Sequence, residues 1–225
     1  MQWAILIGAY FLGAVPVGVL VARAKGVDIL KVGSGNIGAT NVQRALGKKA
    51  GLFVFFMDVL KGLLPALAGR FLLAQTPPLT AEEWAGLAGV CGVLGHCLSP
   101  FLGFKGGKGI STGLGALLGA SPLVGLSAFG LFLVSMFVNR YVSLSSILAA
   151  ASLPFFAWLY HDPRSLLIAF TVFAAFIIYR HRANIARLRA GTEPKFEWKK
   201  DKPAEPEPAR YTADLEDNPE GSGEA

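Results

Sequence analysis

Three short segments of this chain carry nearly all of its candidate chemistry. The first is Gly33-Ser34-Gly35-Asn36-Ile37-Gly38-Ala39-Thr40-Asn41-Val42-Gln43-Arg44. Its glycines free the backbone, while Ser34, Asn36, Thr40 and Asn41 offer neutral hydrogen bonds. Arg44 adds a fork that matches phosphate or carboxylate. A turn built by Gly, Ser and Asn is the plain alternative. The second segment, Gly103-Phe104-Lys105-Gly106-Gly107-Lys108-Gly109, places four glycines and two lysines in seven residues. Amide groups turned inward by glycine, with lysine charge beside them, suit an anion. A basic turn that only obeys membrane topology is again the alternative. The third segment holds His181, Asn184 and Glu193 among arginines. His181 and Asn184 are three apart and share a helical face. His181 is a candidate base near neutral pH, or a structural hydrogen-bonding group.

The glycine-lysine segment imitates a nucleotide P-loop and departs from it at two positions. Leu102 stands where the first glycine is required, and Gly109 follows the lysine where Ser or Thr should. ATP hydrolysis is therefore not expected. Cys91, His96 and Cys97 match no zinc spacing, so neither a metal nor an organic cofactor is expected.

The elements that must position these segments are membrane helices. Of 225 residues, 53% are hydrophobic and 16% charged, against about 25% charged in ordinary soluble chains. The net charge is +6, yet residues 201–225 hold eight acids and two bases, so residues 1–200 carry +12. That excess lies in loops and suits anionic headgroups and the positive-inside rule; a nucleic-acid partner is not expected.

Apolar runs at 2–22, 51–73, 85–101, 142–160 and 165–180 are long enough to span a bilayer. Residues 113–138 divide at Ser121-Pro122, and two passes there, one short, bring the basic cluster at 180–200 to the same side as the loop at 23–50. The reading is an all-α integral membrane bundle of about seven helices, some short, with the N-terminus outside and the C-terminus inside. Residues 1–200 form one membrane domain. Residues 201–225 read as an acidic, Pro-rich, disordered cytoplasmic tail. The first run lacks a charged n-region and is expected to be retained. Gly86, Gly89, Gly92 and Gly95, three apart, permit close helix contact within the chain or between subunits. Asp58 and Lys61, at i,i+3 inside a span, read as a mutually neutralising pair, with His96, Ser99 and Glu193 in supporting roles.

Taken together, GSGNIGATNVQR, GHCLSPFLGFKGGKG and HRANIARLRAGTE resemble the PlsY family of bacterial glycerol-3-phosphate acyltransferases over about residues 1–195. The resemblance implies an inner-membrane enzyme with its active site on the cytoplasmic face. It would transfer an acyl group from acyl phosphate to the 1-position of glycerol 3-phosphate, giving lysophosphatidic acid and phosphate, the first step of phospholipid synthesis. Its partners would be these two substrates and membrane lipids, with no obligatory protein partner.

By the same resemblance, Ser34, Arg44, Lys105, His181 and Asn184 are the catalytic positions. Phosphate would be held by Ser34, Asn36, Thr40, Asn41, Arg44, Lys105, Gly106, Gly107, Lys108 and Gly109. No His-x4-Asp dyad is present, since Phe101 and Ala186 occupy the aspartate positions after His96 and His181. Direct one-step transfer with the donor's phosphate taking the proton is the preferred scheme, and His181 as base is its rival. A transporter for a phosphorylated solute is the competing class, disfavoured by short external loops with little polarity to match.

Overall fold

A computed structural model describes residues 1–197; the expected acidic tail lies outside the described residues. Ten α-helices run α1 Gln2–Ala14, α2 Val17–Arg23, α3 Ala39–Leu46, α4 Lys48–Leu72, α5 Ala81–Cys97, α6 Ile110–Ala120, α7 Pro122–Asn139, α8 Val142–Leu159, α9 Arg164–Arg180 and α10 Arg182–Arg189. The protein is an all-α integral membrane bundle. Among the described residues, five segments are long and apolar enough to cross a bilayer, or six if the bent α9–α10 pair is counted as one span. Helices α6 and α7 divide at Ser121-Pro122, and α6 is a short apolar helix where a short pass was expected. Its 11 residues rise about 16 Å, roughly half of a hydrocarbon core.

Two departures from the sequence reading have local causes. The first apolar run is broken into α1 and α2 because Pro16 has no N–H for the preceding turn. The Lys61 ammonium donates at 3.0 Å to the Val15 carbonyl, which also accepts from the Val17 N–H. Residues 39–46, read as loop, form α3, an amphipathic helix too short to announce itself against the glycine-rich sequence around it.

One end of the bundle is tied by polar contacts. Arg70 donates to the Gly119 carbonyl and to Glu82, Ser121 to Asp162, and Ser165 to Glu83. Thr80 and Glu83 form a reciprocal capping box that starts α5. The opposite end gathers α3, the 103–109 loop, the N-termini of α6 and α8, and the α9–α10 bend.

Close backbone approach sets the helix spacing. A Cβ at Gly62 would lie 1.9 Å from the Thr112 carbonyl oxygen, and one at Gly115 1.9 Å from that of Val59, so α4 and α6 touch along their backbones. The α5 glycine stripe packs internally: Gly95 faces the Tyr10 carbonyl of α1, and Gly89 faces Ala116 of α6. Large side chains such as Trp3, Phe11, Phe53, Phe56 and Phe137 face outward, as lipid contact requires.

Candidate active site

The three segments converge on one cavity of about 500 Å³. Its first wall is built around Asn41, which is buried. The Asn41 amide donates to the carbonyls of Ile29, Val32 and Asn36 at 3.3, 2.9 and 2.9 Å, and its oxygen accepts from the Ser34 N–H at 3.0 Å. Gly33 and Gly35, at φ +60° and +64°, let the chain turn back on itself here. Asn41 was expected at a phosphate; its polar atoms are instead engaged in shaping the loop. Asn36 accepts from the Gly38 N–H at 2.8 Å. The product is a fixed surface of Ser34, Thr40 and the N-terminus of α3, all lining the cavity. Arg44 lines it one turn later and donates to the Pro194 carbonyl at 3.4 Å.

The glycine-lysine loop forms the second wall in a way its sequence did not reveal. The Gly106 and Gly107 N–H groups donate to the carbonyls of Cys97 and His96 at 3.0 and 3.1 Å. Their own carbonyls accept from Arg180 at 3.0 and 2.6 Å. A Cβ at Gly107 would sit 2.1 Å from His96 Nε2. These two glycines therefore staple the loop to the end of α5, rather than aiming their amides at an anion as expected. One step on, Gly109 (φ +82°) starts α6, and the N-terminus of that helix, whose first amides have no partner within the helix, opens on the cavity. Lys105 is exposed and outside the cavity lining, whereas Lys108 lies within it.

The third wall is the 57° bend between α9 and α10. His181 Nδ1 lies 2.8 Å from the Ile177 carbonyl, so that nitrogen carries the proton and Nε2 keeps the lone pair. Lys108 Nζ donates to Asn184 Oδ1 at 2.5 Å, and Asn184 Nδ2 donates to Glu193 at 2.7 Å. Glu193 also accepts from Ser143 at 2.6 Å and from Arg187 at 2.7 Å. Burial alone would raise its pKa, but the bonds from Ser143, Asn184 and Arg187 outweigh it and hold the carboxyl below the usual glutamate value. Burial pushes the Lys108 ammonium down to about 8; Glu193 opposes the shift, and Arg187, Arg180 and Arg44 add to it. Glu193 thus stands one step behind Lys108, linked to it through Asn184.

Beneath the cavity, Asp58 and Lys61 pair at 2.9 Å, with His96 Nδ1 3.8 Å from the same carboxylate oxygen. Asp58 and His96 reach the cavity lining and Lys61 does not. Ser99 donates to the Ala14 carbonyl at 2.7 Å and joins α1 to the end of α5, away from the cavity. Ser143, Ser146, Arg180 and Arg187 were not singled out by sequence. The serines lie in an apolar run with no local pattern, and only the fold brings α8 to the site.

An apolar groove of about 80 Å³ continues from the cavity between α6, α7, α8 and α9. The two share Phe55, Ile110, Ser111, Phe132 and Ser146. A polar chamber with two helix N-termini and fixed cations, joined to an apolar groove inside a membrane bundle, defines a membrane protein suited to a phosphorylated amphiphile.

The chain belongs to the glycerol-3-phosphate acyltransferase family, whose model matches residues 3–191. It is 49% identical to the glycerol-3-phosphate acyltransferase of Geobacter sulfurreducens, over 84% of this chain and 94% of that one. It is 46% identical to that of Aquifex aeolicus, over 85% and 97%. Its fold is similar to the crystal structure of PlsY (YgiH), an integral membrane glycerol 3-phosphate acyltransferase, in the glycerol 3-phosphate form. The TM-score is 0.80 at 44% identity, covering 87% of this chain and 96% of that one. The lysophosphatidic acid form of the same enzyme matches with a TM-score of 0.78 at 43% identity, over 87% and 95%.

Proposed function

We propose that the protein transfers a fatty acyl group from acyl phosphate to the 1-hydroxyl of glycerol 3-phosphate, releasing lysophosphatidic acid and phosphate. The observation that carries this reading is one cavity onto which two helix N-termini, Arg44 and Lys108 open, with an apolar groove leading from it. The N-terminus of α3 with Arg44 makes one seat, and the N-terminus of α6 with Lys108 makes the other. Glycerol 3-phosphate needs one phosphate seat, and an acyl phosphate needs a second beside an entry for its tail. The names of the relatives, and the two ligand forms of the similar structure, support the acceptor and the product class.

In this scheme the 1-hydroxyl oxygen attacks the acyl carbonyl carbon, and the bond from that carbon to the phosphate oxygen breaks. The electron pair leaves with phosphate, and the hydroxyl proton passes to a phosphate oxygen. Catalysis then rests on holding two anions together, where positioning and fixed charge contribute most. Ser34 orients the acceptor, and Lys108, held by Asn184, neutralises the leaving phosphate. In this reading His181 Nε2 accepts a hydrogen bond from a substrate hydroxyl.

The cavity end carries Arg23, Lys25, Lys48, Lys49, Arg140 and the α10 arginines, which supports a cytoplasmic site in a bacterial inner membrane, with the N-terminus outside. The purified chain is expected to act without a protein partner. The test is purified protein with labelled glycerol 3-phosphate and, separately, palmitoyl phosphate, palmitoyl-CoA and palmitoyl-acyl carrier protein. Lysophosphatidic acid is expected from palmitoyl phosphate alone. Product formed only with a thioester donor would overturn the donor assignment.

A further inference from the structure

The apolar groove that leaves the cavity has Phe173 in its lining. Phe173, on α9, lines the groove on one face and a second apolar crevice of about 490 Å³, between α5 and α9, on the other. A neck of about 20 Å³ joins the two spaces, and Phe173 lines that as well. The ring tip rests on α6 where there is no side chain: a Cβ at Gly113 would lie 2.5 Å from Phe173 Cζ. Beyond the ring the crevice is lined by Leu87, Val90, Val93 and Ala169, with the Glu83–Ser165 pair at its far rim. Phe173 thus stands at the constriction between a small space, continuous with the reaction chamber, and a larger one with the same apolar character, and it lines all three.

We propose that Phe173, seated on Gly113, is the end wall of the acyl-chain groove and sets the longest chain the enzyme accepts. This rests on the acyl-transfer reading above. An acyl tail arrives from lipid, so burying it in protein gains little over the bilayer. Discrimination must then come from exclusion. A tail longer than the groove has to displace the ring, or turn back between α4 and α7 near Phe55 and Phe132. Overpacking of that kind costs enough to lower kcat/KM about tenfold. Removing the ring opens the neck and offers the over-long tail the crevice.

The experiment measures kcat/KM of the purified full chain for saturated acyl phosphates from decanoyl to stearoyl, at fixed glycerol 3-phosphate. In Phe173→Ala, donors too long for the wild type are expected to gain about tenfold, with the shorter donors unchanged. Ala169→Phe, which fills the crevice beyond the wall, should leave the wild-type profile alone and should restore it in the Phe173→Ala background. Phe173→Leu is expected to move the limit in the same direction by less, and serves if the alanine variant does not fold. A uniform loss at every length, or an unmoved limit in both Phe173 variants, overturns the wall. So does a changed profile in Ala169→Phe alone, because the tail would already reach the crevice. If the wild type makes no lysophosphatidic acid from any acyl phosphate, the acyl-transfer reading itself fails, a result distinct from all of these.

Discussion

The two lysines of the glycine loop look equivalent in sequence and are not equivalent in the fold. Lys105 is exposed, while Lys108 is half-buried with Nζ on Asn184. Replacing Lys108 by Met keeps the length of the side chain and removes the charge. A charge-assisted hydrogen bond to phosphate contributes about 2 kcal/mol, so kcat/KM at pH 7 should fall about thirtyfold. Lys105→Met should stay within about twofold, as an exposed charge does. The pH profile supplies an independent check. With a free-enzyme pKa of about 8, Lys108 is mostly charged at pH 7 and mostly neutral at pH 9. Wild-type kcat/KM should therefore fall roughly tenfold between pH 7 and pH 9, since that parameter reports the free enzyme. A phosphate monoester has its second ionisation near pH 6 and does not produce this limb. Lys108→Met should lose the alkaline limb, and Lys108→Arg should move it out of range because guanidinium stays protonated. The assay is initial-rate formation of labelled lysophosphatidic acid. A large loss in Lys105→Met with little in Lys108→Met, or an alkaline limb unchanged in Lys108→Met, would refute the placement of the lysine.

Other substitutions probe the supporting structure. Glu193→Gln should destabilise the cavity end by about 2 kcal/mol and lower kcat/KM by unseating Asn184, which a thermal melt in detergent and steady-state rates would register together. Because the Glu193 pKa is lowered from 4.5 on folding, its stabilisation should be present above about pH 4.5 and disappear as pH falls through the folded value; pH-dependent melts of wild type and Glu193→Gln should converge there. His181→Ala should retain activity within about tenfold at saturating substrates, whereas loss of a general base would remove a hundredfold or more. Gly62→Ala should lower thermal stability by about 2 kcal/mol, since its new methyl meets the Thr112 carbonyl and forces α4 from α6; Gly130→Ala, with open space at its Cβ, is the matched control.

Much of the architecture was readable because membrane helices advertise themselves by length and hydropathy. The turn at Ser121-Pro122 was readable for a topological reason, since it alone returns the arginines after residue 180 to the side of Arg44. The site was readable as three segments and not as a geometry. Asn41 resembles a ligand in sequence, yet three loop carbonyls claim its amide. Gly106 and Gly107 look like an anion nest, yet His96 and Cys97, about ten residues earlier, accept their N–H groups. Neither fact is local, so no pattern within the motif could display it. Arg180 read as one more topogenic charge until the fold set it on the carbonyls of those glycines. Phe173 was one aromatic among many in an apolar run, and its position between two voids exists only once α5, α6 and α9 are packed.

In the proposed reaction both phosphates occupy one cavity together and the acyl group passes directly between the two substrates. The two-substrate initial-rate pattern tests this most directly, with acyl phosphate and glycerol 3-phosphate each varied against the other. Direct transfer predicts intersecting double-reciprocal lines and no acylated protein by mass spectrometry. Parallel lines with an acyl group trapped on Ser34 would contradict it.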